Sequence, residues 1–415
     1  MITNIGIGFV TGRKHFQNVL RTYINNWLEH GLLQDENIRL HLFVAYDLKY
    51  QGTEMSDYKN VPPELAKMVA SINFFGTNRI NSEIAVLKNE GKLDENEAQL
   101  LFGEGYGKKR NAITYFAIKH NMDRLIFIDD DEYPLATMKN DRGQLLWTGQ
   151  SVVGTHLKYI ADADITHGHH CGYISPIPYI RFNNVLTEND FRHFIEAISN
   201  DIINWVKVRH NMLKNKGVTY ASAAIINQPL VTEVQEENGM KFISGANLCF
   251  NLANAEKLPP FYNPPGARGE DTFMSTALSN LKVVKVPCYT FHDGFSTYNN
   301  LVHGVLPLQL EEIDSVSPAN IKRFIAATIG WVRYKPLMVY ITNRGAYEQT
   351  METMAIRLRF TIPKLCAYFK TDEFEKVMVE FELYRKNVVK HFNEFEATKI
   401  AWTKLMQNIN ELAVY

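Results

Sequence analysis

Three short stretches carry residue types that could do chemistry. In "RLIFIDDDEYP", residues 124–134, an apolar run ends in Asp129, Asp130, Asp131 and Glu132. Carboxylates at a strand end can hold a hard divalent cation, Mn²⁺ or Mg²⁺, which takes oxygen ligands and commonly shares them with substrate phosphates. The same acids could instead cap the following turn or face water. In "ARGEDTF", Glu270 and Asp271 follow a Gly/Pro-rich loop and open a helix. A carboxylate there could take a proton from a hydroxyl as general base. It is also a favourable charge for a helix N-terminus with no function attached. In "YTFHDGF", His292 ends a strand. Its imidazole could be a further metal ligand or an ordinary structural residue.

Such residues need a frame. "NIGIGFVTG" reads as a strand and a Gly turn. "HFQNVLRTYINNWLEHG" then shows helical spacing at Phe16, Leu20, Tyr23, Ile24 and Trp27. "IRLHLFVAYD" is a second strand, ending in Asp47, and "VASINFFG" a third. Residues 82–106 read as helix and loop, and "KKRNAITYFAIKHN" as a helix before the acidic strand. Strands alternating with helices predict an α/β fold with a parallel, open sheet. Ligands of such sheets lie beyond the carboxyl ends of the strands, where Asp47 and the acidic cluster fall.

Further along, "DADITHGHHCGYISPIPYIRFNN" reads as irregular, site-forming chain. "ENDFRHFIEAISNDIINWVKVRHNMLKN" reads as one long amphipathic helix, and "KFISGANLCFNL" as a strand around a Gly. "NPPGARGEDTFMSTALSNL" is a loop leading into a helix, and "VVKVPCYTFHDGF" a strand. From about residue 308 the pattern is helical, so residues 1–305 and 306–415 are expected as two regions.

A chain of 415 residues suits one large domain with an addition, or two domains. Its 46% hydrophobic and 21% charged residues exclude a disordered chain. The formal net charge of -1 selects no polyanionic partner, although a local basic patch would escape that count. Cys171, Cys249, Cys288 and Cys366 are widely spaced with no CxxC pair, which argues against a thiolate zinc site or a disulfide framework and favours a cytoplasmic setting. "MITNIGIGFVTGRKHF" has no apolar run of signal-peptide length, and no stretch approaches the roughly 20 apolar residues of a membrane span.

Strand–Gly turn–helix, a strand ending in Asp, "KKRN", "IFIDDD", "GED" and then a strand-end His: in this order the set resembles a glycosyltransferase of the GT-A fold. In motif logic it is closest to the large inverting family 2. The resemblance covers roughly residues 1–300 and lies in motif order. It implies a Rossmann-like, mostly parallel sheet followed by the helical region. It also implies a metal-dependent hexosyltransferase that moves a sugar from a nucleotide-sugar, with UDP-sugars favoured, to an acceptor hydroxyl with inversion. By resemblance, Phe9, Val10, Thr11 and Arg13 grip the nucleotide and Asp47 faces uracil or ribose. "VAYDLKY" lacks the usual small Asp-Gly-Ser turn, which leaves the base open. Arg110 and Asn111 match the family's Arg-Asn, with Arg110 toward nucleotide or phosphates and Lys108 and Lys109 as weaker candidates. The DxD falls on Asp129 and Asp131 with Asp130 between, ambiguous by one residue. Asp131 would lie nearest the cation and Asp129 would reach ribose, sugar or metal. His292 would complete the metal sphere with the donor diphosphate. Asp271 would be the general base and Glu270 its neighbour.

The residue types suit that chemistry. A bound cation stabilises charge on a diphosphate leaving group, and a carboxylate must deprotonate a weakly nucleophilic hydroxyl. Attack opposite the leaving group inverts the anomeric centre. Three rivals remain: a retaining glycosyltransferase, a nucleotidyltransferase and a non-catalytic nucleotide-sugar-binding protein. The single Gly and single basic pair of "FVTGRKHF" count against the second, and Asp271 beside a DxD counts against the third.

His167, His169 and His170 supply no obvious complete zinc set and favour a substrate-side loop. Trp205 suits core packing better than sugar stacking, and Ser244, Gly245 and Asn247 are weak pocket candidates. Trp331, Tyr334 and Trp402 suggest a membrane surface only weakly, because acids are interleaved throughout. The helical region is expected to pack, to drive homo-oligomerisation or to bind the acceptor. That acceptor is a glycan or another hydroxyl, nucleic acid not excluded.

Overall fold

The chain is described by a computed structural model covering residues 2–199 and 205–409. In chain order its strands are β1 (Thr3–Thr11), β2 (Ile38–Tyr46), β3 (Ser71–Phe75), β4 (Arg124–Asp129), β5 (Glu132–Tyr133), β6 (Leu135–Lys139), β7 (Leu145–Gly149), β8 (Ile165–Gly172), β9 (Thr232–Glu233), β10 (Leu248–Asn251) and β11 (Val283–His292). The helices that matter for the site and its support are α1 (Phe16–Glu29), α2 (Tyr106–Lys119), α3 (Val152–Tyr159), α4 (Glu188–Ile198), α5 (Trp205–Asn215), α6 (Glu270–Ser275), α7 (Pro318–Thr342), α8 (Tyr347–Phe369), α9 (Glu375–Lys386) and α10 (Val388–Gln407).

The main sheet runs β3-β2-β1-β4-β10-β8-β11-β5, with β9 on β11. Strands β1 to β4, β8 and β11 point the same way. β10 runs against them between β4 and β8, and β5 and β9 are short antiparallel additions to β11. The sheet is therefore a curled, open, mixed α/β sheet in which six of the nine strands run the same way. The reversal arises because β10 returns beside β4 instead of crossing over.

β1 is buried on both faces, as a central strand must be. Ile5, Ile7 and Phe9 face α1 and meet Phe16, Leu20, Tyr23 and Trp27. The alternate positions are glycines, and a Cβ at Gly8 would lie 3.0 Å from Ile113 and Phe127. Helix α2 can press onto that face only because no side chain stands there.

The sheet and the C-terminal helices share apolar cores. Ala401, Trp402, Leu405 and Met406 of α10 join the α2-side cluster, and Trp402 Nε1 donates to the Leu258 carbonyl at 2.8 Å. A second cluster joins α4 and Trp205 to α7, α8 and α9 and includes Trp331 and Tyr334. These three aromatics are buried, so none is offered to a membrane surface. No helix among the described residues is long and apolar enough to cross a membrane.

Three local expectations are corrected. Of the histidine-rich stretch expected as irregular, Ile165–Gly172 is the strand β8, held between β10 and β11, whereas residues 173–184 carry no helix or strand. The long amphipathic helix is two pieces. α4 opens on a Thr187–Asp190 capping box and stops at Ser199, whose backbone is extended, before α5 begins at Trp205; residues 200–204 lie outside the described residues. Of "KFISGANLCFNL", only Leu248–Asn251 is a strand.

β8 also explains a buried histidine that composition could not reveal. His156 Nε2 donates to Asn247 Oδ1 at 2.9 Å, and its Nδ1 lies 2.7 Å from Thr166 Oγ1, which satisfies the neutral ring. Burial pushes its pKa from 6.5 down to about 4. The folded value lies below the unfolded one, so this stabilisation is complete above the ordinary value and is lost as pH falls through about 4. Between pH 7 and 4.5, His156→Gln should flatten the loss of unfolding free energy by about 2–3 kcal/mol relative to wild type. Urea titrations at both pH values check this.

Candidate active site

β1 and β4 are parallel neighbours in register, Val10 opposite Asp129, so the residues that follow each strand emerge together. Thr11 Oγ1 donates to Asp130 Oδ2 at 2.5 Å. Arg13 Nη1 lies 3.1 Å from Asp130 Oδ1 and forms a shorter ion pair with Asp131 Oδ2. β11 delivers the third component. Its end pairs with β5, His292 opposite Glu132, and the Asp293 N–H donates to the Asp131 carbonyl at 2.9 Å. His292 Nε2 then lies 3.2 Å from Asp131 Oδ2. Its Nδ1 donates to the Tyr173 carbonyl at 2.6 Å, which fixes the ring with Nε2 toward the aspartate.

The four consecutive acids thus surface into different sets of partners, with Arg13 shared by Asp130 and Asp131. Asp129 meets Arg110, Asp130 meets Thr11 and Arg13, and Asp131 meets Arg13 and His292. Glu132 lies 3.1 Å from His170 and accepts the Thr290 hydroxyl at 2.6 Å. Burial pushes Asp129 and Asp130 up to about 6 against the pull of Arg110 and Arg13. Burial also opposes the charge of Asp131, but His292 and Arg13 outweigh it and hold that carboxyl well below its usual range. His292 shows the reciprocal effect: burial disfavours the imidazolium, yet Asp131 holds it up at about 9.

A second cluster adjoins the first through Arg110, which is only 2% exposed. Its Nη2 donates to Asp129 Oδ1 at 3.0 Å, Nη1 donates to the Gly245 carbonyl, and Nε lies 3.5 Å from Glu270 Oε1. The guanidinium lies over Phe127 at 5.0 Å and Phe261 at 5.6 Å. Asp271 is fastened by backbone: Oδ2 accepts the Gly245 N–H at 3.0 Å and Oδ1 the Thr272 N–H at 2.8 Å. Burial raises the Glu270 carboxyl, and the adjacent Asp271 raises it further.

Other candidates take supporting positions. Asp47 caps its own turn at the Lys49 N–H, 2.9 Å, and lies 3.5 Å from Lys109, which pairs with Glu104 at 2.9 Å. Lys108 Nζ donates to the Gln99 carbonyl. The Asn111 amide is fully buried and exchanges bonds with the Phe261 backbone at 2.8 and 2.9 Å, tying α2 to that loop. Asn247 is likewise spent internally, on His156 and the carbonyls of His169 and Cys288. Gly245 contributes both of its backbone groups to the second cluster, and Ser244 is half-buried beside it. Phe9, Val10 and Trp205 are core residues. Of the histidine run, His167 is buried, His169 stacks on Tyr289 at 5.0 Å, and only His170 joins the acidic cluster.

Sequence spacing did not reveal Tyr50 and Tyr106. They meet edge to face at 6.4 Å beside Gly12 and remain 52% and 39% exposed. Tyr50 lies in a turn and Tyr106 is the first residue of α2, so neither has a periodic signal to mark it.

Among the described residues, no three His, Cys, Asp or Glu side chains converge as a ready metal cage. Asp131 and His292 lie side by side, whereas Asp129 is turned to Arg110. Two protein donors still suit Mg²⁺ or Mn²⁺, because such cations are often held by one or two side chains plus substrate phosphates. The Asp131 oxygen facing His292 also takes Arg13, and Asp131 holds His292 as the imidazolium, so a cation there must displace both that guanidinium and the Nε2 proton.

No protein-family model and no curated protein matches the chain. A structural comparison aligns 47% of it with 58% of the crystal structure of mouse xyloside xylosyltransferase 1 in its apo form, at 13% identity and a TM-score of 0.19. A likeness that weak carries no argument, and the functional reading rests on the site.

Proposed function

We propose that the chain is a glycosyltransferase of GT-A type that uses a divalent cation and a nucleotide-sugar, with a UDP-sugar favoured. One observation carries the reading: stretches remote in sequence converge where β1, β4 and β11 end. Thr11 reaches Asp130 across 119 positions, His292 reaches Asp131 across 161, and Arg110 joins Asp129 to Glu270. Two adjoining clusters, one cationic and acidic and the other with paired carboxylates, suit a diphosphate leaving group and a hydroxyl nucleophile.

Asp131 and His292 would hold the cation, which when bound would stabilise charge on the departing diphosphate. Arg13, released from Asp131, would turn to the phosphates, and Thr11 and Asp130 would border the nucleotide with Asp47. Arg110 holds Asp129 and Glu270 in one frame, with Asp129 toward the sugar or ribose. Asp271 is the proposed base: two backbone N–H groups and the Thr272 hydroxyl fix its direction, and Oδ2, which takes only the Gly245 N–H, keeps a lone pair for the acceptor proton. Attack on the face opposite the diphosphate would invert the anomeric centre. The region 306–415 would then serve as the support of this catalytic region and one wall of its site.

A calorimetric screen of UDP-, GDP- and TDP-sugars, each with and without Mn²⁺, tests the reading on wild type and Asp131→Ala. One nucleotide class should bind in a metal-dependent way, and the variant should lose that dependence. If no nucleotide-sugar binds under either condition, the reading is discarded and the acids are only a charge-compensated strand end.

A further inference from the structure

The helical region carries no motif of the site in sequence, yet it places a cation there. Arg323 lies on the second turn of α7. Its guanidinium carbon sits 4.8 Å from the ring centre of Phe295, just beyond His292 in the chain. Gly294 lies between the two groups. A Cβ at Gly294 would stand 2.6 Å from Arg323 Nη2 and 2.6 Å from His292 Cε1, so the missing side chain lets the guanidinium approach the imidazole. α7 makes a second such approach at Gly330, where a Cβ would lie 2.5 Å from Arg268 Cγ, in the loop leading to Glu270.

Among the described residues, Arg323 makes no ion pair. Arg13 has Asp130 and Asp131, and Arg110 has Asp129 and Glu270. Arg323 Nε is buried with no hydrogen-bond partner among the described residues. Burial and the like charge of Arg13 lower its pKa, with Asp131 opposing. A guanidinium left half-buried beside other cations is a costly arrangement unless an anion arrives.

We propose that Arg323 is a phosphate ligand for the diphosphate of a nucleotide, acting with Arg13, so that the helical region completes the donor site. The inference rests on the donor-site reading above and assigns a part of it to α7. A planar, always charged fork stacked on an aromatic ring is suited to phosphate oxygens.

The test uses inorganic pyrophosphate, UDP and uridine as calorimetric probes with Mn²⁺, on the full chain. Arg323→Met should weaken pyrophosphate and UDP by about 10–100-fold and leave uridine unchanged, and Arg323→Lys should recover part of the loss. Arg323→Gln, which keeps polar donors without charge, carries the same expectation as the Met variant if the latter does not fold. Pyrophosphate affinity within about twofold of wild type in the folded variants would overturn the inference and leave the donor-site reading intact. An equal loss for uridine would make Arg323 a structural residue and also overturn it. Wild type that binds neither pyrophosphate nor UDP would remove the donor-site reading itself.

Discussion

Asp271→Asn lowers kcat and kcat/KM together, by about 10²–10⁴-fold, and leaves donor affinity nearly unchanged: this is the outcome expected of a lost general base. The geometry makes the substitution informative. Both Asp271 oxygens accept backbone N–H groups, from Gly245 and Thr272. An asparagine can replace only one acceptor, so the other N–H faces an amide donor. That mismatch costs about 1–3 kcal/mol of stability and is read separately by urea unfolding. Glu270→Gln supplies the contrast. Glu270 is the carboxyl raised by burial and by Asp271, with its nearest cation at 3.5 Å. If Asp271 is the base, Glu270→Gln costs less turnover than Asp271→Asn. The reverse ranking, from initial rates once a donor is in hand, would move the role to Glu270.

Arg110→Met should destabilise the fold by about 3–5 kcal/mol, because breaking a buried ion pair leaves charge without compensation. Here one guanidinium serves two carboxylates, Asp129 and Glu270, and the Gly245 carbonyl as well. A lysine is a poor substitute, since one ammonium cannot make the fork's divergent contacts. The triple variant Arg110→Met, Asp129→Asn, Glu270→Gln removes the orphaned charges and should recover most of the stability. Urea midpoints with unchanged slopes would measure both effects. A single variant that unfolds at the wild-type midpoint would show that Arg110 is not the bridge described.

Arg110 also shows how far residue reading reaches. Its position before the acidic strand, in "KKRN", flagged it for phosphates or nucleotide; only the fold turns its guanidinium to Asp129 and Glu270. Asn111 beside it was flagged by the same pairing, and packing commits its amide to the Phe261 backbone instead. Arg323 had no flag, because a basic residue on a helix normally reads as solvated surface. Its meaning comes from Gly294 and Phe295, which are remote from it in sequence.

By itself, the sequence determined many of the elements and the positions of the polar residues at their ends. Runs such as "NIGIGFVTG" and "RLIFID" are strands by local preference and apolar pattern, and "DDD", "GED" and "HDG" mark where those strands and loops meet polar surroundings. The tertiary structure alone decided direction and partnership. β10 runs antiparallel between β4 and β8, and "ITHGHHCG" is a covered strand rather than a loop, because neighbours across the sheet supply the hydrogen bonds that local pattern cannot foresee. The same holds for charge: four acids in a row look alike in sequence, and only long-range contacts give them their different sets of partners.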